Sequence, residues 1–271
     1  MTKGRRRTPT LLIPVQLPTV QIGEDLGKIV AGALGKCDLR LSDGDVIAVS
    51  SKVVAASEGR VVKLNSVRVT GTAKQLSRKW HVDPRLATLV LDESEGILGG
   101  VAGFLLTIKS GILTANAGID LKNSPRGTVT LWPHDADISA ARLRKSLEEA
   151  SGKRLGVIVV DSRVTPLRLG TVGLALGVSG FFPVRDIRGK PDIFGRKVKA
   201  TQANMADDLA SSAHVLMSES NEHQALVVIR GAPVLLRSGG GSKEALLSRE
   251  KCLIASNISS NLQTTHACHA S

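Results

Sequence analysis

The sequence predicts a mixed α+β fold. Of its 271 residues, 42% are hydrophobic and 22% are charged, a balance typical of a folded globular chain rather than a disordered or fibrous one. Short runs rich in β-branched residues recur along the chain, whereas helical periodicity is clear in only three places. Because strands and helices do not alternate regularly, a doubly wound parallel sheet fits the pattern poorly and a mixed architecture fits it better.

The predicted strands are separated by turn signals such as Asp43-Gly44-Asp45 and Ser110-Gly111. They cover residues 46–49, 61–62, 104–108, 112–115, 128–131, 157–160 and 226–229. The longest uncharged stretch, 169–184, has 16 residues, fewer than the roughly 20 apolar residues that a membrane helix needs. We therefore interpret that stretch as a buried strand and turn.

The predicted helices cover residues 26–34, 139–150 and 205–216. Asp137 or Ser139 is the expected N-cap of the second helix, because short polar side chains bond the free amides of a first turn. We divide the chain into a basic tail at 1–10, a body at 11–255 and a polar tail at 256–271.

The net charge of +12 is concentrated in two places. Residues 1–10 contribute +4, and residues 142–199 contribute +8 from 13 Lys+Arg and 5 Asp+Glu. Such an excess implies an anionic partner.

With 2% aromatic residues and no tyrosine, the chain lacks the stacking platforms of single-strand and RNA binders. A basic nucleic-acid-binding protein stays an open alternative, and a specific nucleic-acid partner is not expected.

Cysteine spacing and the amino-terminal sequence bear on the compartment. Cys37, Cys252 and Cys268 are far apart, without a CxxC motif, which suits a reducing cytoplasm. Pro14 and Pro18 interrupt the apolar stretch after the basic tail, so a signal peptide is not expected. We predict a cytoplasmic protein without a membrane partner.

Three carboxylates stand where a metal–phosphate site would need them. Asp120 and Asp161 each follow an apolar run, and Glu219 follows the third predicted helix. Oxygen ligands without His or Cys suit Mg²⁺ or Mn²⁺, although each carboxylate taken singly fits a turn or a helix cap equally well. Neither GxxxxGK[ST] nor GxGxxG occurs, so the familiar nucleotide loops are not expected.

An ordered set of short motifs resembles one family. The fragments are Ser42-Asp-Gly-Asp-Val46, Ser50-Ser-Lys-Val-Val54, Ser57-Glu-Gly-Arg60, Leu91-Asp-Glu-Ser-Glu95, Ala115-Asn-Ala-Gly-Ile-Asp120, Asp186-Ile-Arg-Gly189, Asp192-Ile-Phe-Gly-Arg196, Ala206-Asp-Asp-Leu-Ala210 and Val228-Ile-Arg-Gly231. Together they resemble the coenzyme F420-0:L-glutamate ligases, and the fragment at 115–120 with the following Asn123 is the most specific.

The resemblance implies a fold and an activity. It implies two interwoven α+β lobes with mixed and antiparallel sheets, in a protomer of an intertwined homodimer. It also implies a GTP- and divalent-metal-dependent ligase that couples L-glutamate to the deazaflavin coenzyme precursor and then extends a γ-linked tail. GTP would be the co-substrate, with two Mg²⁺ or Mn²⁺ sites and K⁺ as a further cation.

The resemblance also implies which residues form the site, although it assigns no general base. Asp120 and Asp161 would hold one metal, and Ser162 and Glu219 the second. The nucleotide contacts carried over by position are Leu17, Pro18, Thr19, Val20, Ser51, Lys52, Asn123, Met217, Ser218 and Ser220. From the basic segment, Arg168, Arg185, Arg188 and Arg196 are candidates for binding phosphates or carboxylates, because guanidinium groups match oxyanions bidentately; a surface role fits each of them equally well.

Three positions depart from the family pattern. The family usually has a Thr-Phe-Gly-Arg-Pro-Trp-Arg run where this chain reads Ser162-Arg-Val-Thr-Pro-Leu-Arg168. Ala56 stands where a nucleotide-contacting Lys is expected, and Ser218 replaces a Gly. The departures lie at the expected nucleotide and acceptor positions, so an amide ligase of the same fold acting on another phosphorylated carboxylate is the alternative.

Overall fold

The computed structural model describes residues 9–121, 124–217 and 224–258. The chain has the mixed α+β architecture predicted from its sequence, with both parallel and antiparallel strand pairs. It divides into two compact units. The first contains the described residues of Met1–Gly59, Pro133–Ser162 and Val172–Ala245, and the second those of Arg60–Trp132, Arg163–Thr171 and Leu246–Ser271.

The strands and helices, in chain order, have the following bounds. The strands are β1 (Leu11–Val15), β2 (Val46–Ser50), β3 (Val61–Lys63), β4 (Gly96–Val101), β5 (Phe104–Lys109), β6 (Ile112–Ala115), β7 (Thr128–Thr130), β8 (Gly156–Val164), β9 (Thr171–Ser179), β10 (Val184–Asp186), β11 (Gln202–Asn204) and β12 (Leu226–Arg230). The helices are α1 (Leu26–Lys36), α2 (Ser51–Ser57), α3 (Gly71–Trp80), α4 (Pro84–Glu93), α5 (Ala136–Ser151) and α6 (Met205–His214).

The first unit is built on a five-stranded sheet with the order β1-β12-β2-β8-β9. β12 is antiparallel to both β1 and β2, and β2 is parallel to β8. β1, β2 and β8 therefore run in the same direction. Their carboxyl ends lie at one edge of the sheet, which is where open sheets with parallel strands usually bind ligands.

Both faces of this sheet are covered. Because side chains alternate between faces along a strand, Val46 and Ala48 pack with α6 in one apolar cluster, whereas Ile47 and Val49 point to the opposite face and are equally inaccessible to solvent. The buried apolar residues of the neighbouring helices α1 and α5 include Val30, Leu34, Leu143 and Leu147. The central strands are consequently apolar on both sides, which explains their continuous hydrophobic runs.

The second unit combines the antiparallel sheet β4-β5-β6 with the β3-β7 pair and helices α3 and α4. Its apolar cluster joins Leu86, Val90 and Leu105 with Val129 and Leu131. The Asp120 backbone bridges to Thr130 through two hydrogen bonds of 2.9 Å. Asp120 is thus attached to the β7 side of this unit.

The structure confirms the predicted strands and the three predicted helices to within a few residues and corrects four details. The N-cap of α5 is Asp135, which accepts a bond from the Ile138 amide; Asp137 and Ser139 lie inside the helix. Asp161 does not end its strand, because β8 continues to Val164 beside β9. Leu169 is exposed and precedes β9 rather than being buried within it. Helices α2, α3 and α4 and strands β1, β4, β10 and β11 were not predicted. The proposed tails and the two-lobe body stay predictions, and residues 1–8 and 259–271 lie outside the described residues.

Candidate active site

The carboxyl ends of β1 and β2, and the point where β8 passes the end of β2, bring most of the predicted site residues of the first unit to one edge of its sheet. The register pairs Val15 with Leu226, Leu226 with Val49, and Ser50 with Val160. The chain leaves β1 towards 17–20, leaves β2 at 51–52 and passes Asp161 just beyond the parallel pairing of β8. Segments more than a hundred residues apart in sequence therefore meet at this edge.

A small cavity at this edge joins Asp161 to basic and hydroxyl groups. It measures about 40 Å³ and is lined by Ser50, Lys52, Val160, Asp161, Ser162, His214 and Met217. This volume is comparable to that of one or two water molecules, so it suits an ion or a single phosphoryl oxygen rather than a nucleoside. Four of the predicted site residues share this cavity, namely Lys52, Asp161, Ser162 and Met217.

Asp161 is held in place by Ser51. The Ser51 hydroxyl donates a 2.8 Å hydrogen bond to Oδ1 of Asp161, and Ser51 is only 3% exposed. The hydroxyl of Ser51 thus fixes the orientation of a carboxylate, while the expected contact of Ser51 with a nucleotide stays a prediction. The position of Ser51 follows from the β2–β8 pairing, since it comes directly after the last paired residue of β2.

His214 is a cavity residue that the sequence did not predict. It occupies the last turn of α6, the element that ends next to Met217. Its sequence position gives only helical periodicity, which places it on a helix but says nothing of a cavity. Predicting His214 as a cavity residue would have required knowing that α6 packs beside Asp161 of β8.

An open groove of about 740 Å³ adjoins Leu17, Pro18 and Thr19, three of the predicted nucleotide contacts. Its other wall is α1, which contributes Lys28 and Lys36 beside the small residues Gly32 and Ala33. Cavities of several hundred Å³ accommodate cofactor-sized ligands. Val20, the fourth residue predicted in this turn, is buried.

Asp120 lies in the second unit, directly after a short turn in which Asn116, Ala117 and Gly118 have φ angles of 49°, 52° and 70°. Gly118 packs closely against a neighbouring ring, because a Cβ there would lie 2.1 Å from Cε2 of Trp132. Asp120 is half-buried, and its backbone is paired with Thr130. The motif of residues 115–120 thus builds a rigid, strained support for one carboxylate.

The donors at these positions fit a hard divalent cation. Asp161 and Ser162 offer a carboxylate and a hydroxyl in one ion-sized cavity. In the second unit, Asp120 is a half-buried carboxylate. Oxygen donors of this kind are what Mg²⁺ and Mn²⁺ prefer. Among the described residues, no group of three or more His, Cys, Asp or Glu side chains is already gathered around one point.

Four of the predicted site residues, Asn123, Ser218, Glu219 and Ser220, lie outside the described residues. Of the four candidate arginines, Arg188 and Arg196 bond the neighbouring carboxylates of Asp186 and Asp192, while Arg168 and Arg185 are exposed. The Arg188 guanidinium lowers the pKa of Asp186 to about 2. Pairing with a neighbouring carboxylate is what a surface role predicts for Arg188 and Arg196.

The family assignment rests on comparison with known proteins. The model of the family described as F420-0:Gamma-glutamyl ligase matches residues 14–231. That range includes the whole sheet edge described above and the motif that ends at Asp120. The chain belongs to the F420-0:gamma-glutamyl ligase family.

Curated relatives of this family cover nearly the whole chain. A protein named Coenzyme F420:L-glutamate ligase from Methanothermobacter thermautotrophicus is 36% identical over 236 residues, which is 86% of this chain and 94% of the relative. Proteins of the same name from Methanococcus maripaludis strain C7 and Archaeoglobus fulgidus are 37% and 35% identical, each over 89% of this chain and at least 94% of the relative. No helix within the described part of the chain is both long enough and apolar enough to span a membrane.

Proposed function

We propose that this member of the F420-0:gamma-glutamyl ligase family joins L-glutamate to the terminal carboxylate of the coenzyme F420 precursor and then extends a γ-linked tail. The observation that carries the proposal is the convergence of residues 17–20, 51–52 and 161–162 at one sheet edge. The names of the relatives support the choice of glutamate and of the coenzyme as substrates.

The proposed reaction activates a carboxylate with a phosphoryl group from GTP. An oxygen of the acceptor carboxylate attacks the γ-phosphorus, which forms an acyl phosphate and releases GDP. The glutamate amine then attacks the acyl carbon, loses a proton and expels inorganic phosphate, which leaves an amide bond. Catalysis of phosphoryl transfer depends mainly on positioning and charge stabilisation, for which Lys52 supplies a cation beside Asp161 in the small cavity.

The divalent cations of the proposal would be held by oxygen donors. Asp120 with Asp161 would hold one Mg²⁺ or Mn²⁺ ion, and Ser162 with Glu219 the second, while K⁺ would serve as a further cation. Such ions neutralise charge that develops on transferring phosphoryl oxygens. Leu17, Pro18 and Thr19, which line the groove beside α1, would contact the nucleotide. The other proposed nucleotide contacts are Val20, Ser51, Lys52, Asn123, Met217, Ser218 and Ser220.

We further propose that the active form is an intertwined homodimer of two-lobed protomers working in the cytoplasm on small-molecule substrates. Exposed apolar side chains, Leu167 and Ile193 among them, support a partner surface, since such side chains on a protein surface often mark an interface.

The test is a glutamylation assay. The purified protein is incubated with the coenzyme precursor, GTP, Mn²⁺ and L-glutamate, and the products are followed by mass spectrometry while GDP is measured by chromatography. We expect a ladder of glutamyl adducts with GDP released in step. An active relative is assayed in parallel as the control. If this protein is folded but yields neither glutamyl adducts nor GDP, the proposal is contradicted.

A divergent acceptor is the second candidate, favoured by the segment Ser162–Arg168. It departs from the family pattern, and its Leu167 is fully exposed with a φ of 56°. A panel of other phosphorylated carboxylates separates the two candidates. GTP turnover elicited by one of these compounds, but not by the coenzyme precursor, would favour the second.

A further inference from the structure

The turn before Asp120 places an alanine in an unfavourable conformation. Asn116, Ala117 and Gly118 have successive φ angles of 49°, 52° and 70°. Glycine takes such angles readily and asparagine tolerates them, but for alanine the left-handed region is uncommon. Ala117 is fully buried, so neighbouring groups must hold it there.

A buried threonine supplies that hold. Thr107 of β5 is fully buried, and its Oγ1 accepts a 2.9 Å bond from the Ala117 amide while donating a 2.8 Å bond to the carbonyl of Thr114. One hydroxyl therefore connects the last residues of β6 to the centre of the turn. A valine of the same shape would leave the buried Ala117 amide without this acceptor.

Two further contacts complete the support. Oδ1 of Asn116 accepts a 2.8 Å bond from the Leu105 amide, which ties the start of the turn to β5. The Trp132 ring lies against Gly118 so closely that no side chain fits there. After the turn, Ile119 donates back to the Asn116 carbonyl and Asp120 pairs with Thr130. The direction in which Asp120 leaves the turn is thereby fixed on both sides.

We propose that Thr107 is a positioning residue, which holds the left-handed turn 116–118 and so orients the Asp120 carboxylate for a divalent cation. The inference rests on the proposed function for the role of Asp120 as a metal ligand. Thr107 itself bonds only backbone groups in the contacts described above. Groups that orient a metal ligand typically change metal affinity about tenfold to a hundredfold when removed.

The test measures Mn²⁺ binding to the full-length protein without substrates, from the loss of the electron paramagnetic resonance signal of free Mn²⁺. We expect Thr107→Val to weaken binding by about tenfold or more, and Thr107→Ser, which keeps the hydroxyl, to stay close to the wild type. Hydrogen exchange at the Ala117 amide should accelerate in Thr107→Val alone. The matched control is Thr88→Val, which removes another buried threonine hydroxyl, in α4 of the same unit, and should leave Mn²⁺ affinity unchanged.

The outcomes separate this inference from the proposed function. Wild-type Mn²⁺ affinity in Thr107→Val would overturn the inference even if the glutamylation assay succeeds, and so would a wild type that does not bind Mn²⁺. A selective loss in Thr107→Val would support the inference even if no glutamyl product forms. If Thr107→Val does not fold, Thr107→Ala is measured in its place, because it also removes the hydroxyl that accepts from the Ala117 amide; a wild-type Mn²⁺ affinity in that variant would overturn the inference.

Discussion

Asp161 is oriented by a buried hydroxyl that lies one residue beyond the end of a neighbouring strand. The Ser51 hydroxyl bonds Oδ1 of Asp161 and does not bond Oδ2. Replacing Asp161 with Asn keeps an oxygen that can accept from Ser51 but removes the negative charge. The cavity should therefore keep its shape while losing its attraction for a divalent cation.

We expect Asp161→Asn to lower the rate of glutamyl transfer by about a hundredfold or more. Removing a group that only orients a metal ligand lowers activity by up to about a hundredfold, and removing the ligand itself should lower it at least as much. Steady-state GDP release measures the change, and thermal unfolding checks that the fold survives. Asp186→Asn is the control, because Asp186 is an exposed carboxylate paired with Arg188. Equal turnover in both variants would rule out a role for Asp161 in metal binding.

Glu93 illustrates how a single residue stabilises the second unit. Its Oε2 accepts from Arg60 at 2.7 Å and from Lys109 at 2.5 Å, and the Lys109 ammonium lies 5.6 Å from the centre of the Trp132 ring. Burial by itself raises the pKa of Glu93, but the bonds from Lys109 and Arg60 outweigh it and lower that pKa. Burial lowers the pKa of Lys109.

Glu93→Gln should destabilise the protein by about 3 kcal/mol, because two largely buried cations lose their carboxylate. Lys109→Met is the matched comparison: it keeps the Arg60–Glu93 pair and should change the free energy of unfolding by about 1 kcal/mol or less. Urea denaturation measures both. A larger loss in Lys109→Met than in Glu93→Gln would contradict this assignment of roles.

The same site predicts a pH dependence. Because the pKa of Glu93 in the folded state lies below its ordinary value of 4.5, its contribution to stability is present above that pH and declines as the pH falls through the lowered pKa. The wild type should thus lose more stability on acidification below 4.5 than Glu93→Gln does.

At the scale of elements, the edge strand β9 is held by two helices that approach it closely. A Cβ on Gly173 would lie 2.4 Å from the Ala210 carbonyl oxygen in α6, and one on Gly177 would lie 2.1 Å from the Ala136 carbonyl oxygen in α5. The same helices supply acceptors for backbone amides of β9, since Asp207 accepts from Ala175. An edge strand whose amides are bonded in this way is protected from pairing with other chains.

Asp137 is the corresponding acceptor on α5. Its Oδ1 accepts 2.8 Å bonds from the Val178 and Ser242 amides. Asp137→Ala should cost about 2 kcal/mol, since two amides lose their acceptor. Asp208→Ala, an exposed acid in the first turn of α6, should cost less than about 0.5 kcal/mol. Urea unfolding compares the two variants, and equal losses would contradict the bridging role of Asp137.

Local patterns predicted the central strands well because these are continuous apolar runs. The three missed helices lack the usual signal: α2 has only 7 residues, α3 buries only Ala73 and Leu76, and α4 buries every residue from Leu86 to Leu91 and so has no polar face in that stretch. Asp120 and Asp161 could be named as candidates from sequence. The Ser51–Asp161 bond could not, because it depends on pairing β2 with a strand 110 residues away.

At the scale of the whole molecule, the net charge of +12 is distributed unevenly. Within 142–199, Arg188 and Arg196 are partly neutralised by adjacent carboxylates, and Arg144 pairs with Glu148 at 3.7 Å. These pairs involve three of the 13 basic residues of the segment, which keeps its net charge of +8. With so few aromatic residues available for stacking on bases, this charge is better explained by small anions than by a nucleic acid.

The proposed homodimer gives the last prediction. Leu167 and Leu169, two residues apart in sequence, are fully exposed, and Ile193 is 92% exposed; contiguous exposed apolar side chains often mark an interface. We expect the protein to sediment at twice its mass of 28.5 kDa, and the double variant Leu167→Ser, Leu169→Ser to shift towards the monomer because it loses apolar contact area at the interface. Ile22→Ser is the control, since Ile22 is an exposed apolar residue in a different segment of the chain and its loss should leave the dimer intact. A wild type that sediments as a monomer would refute the dimer, and a double variant that stays dimeric would place the interface elsewhere.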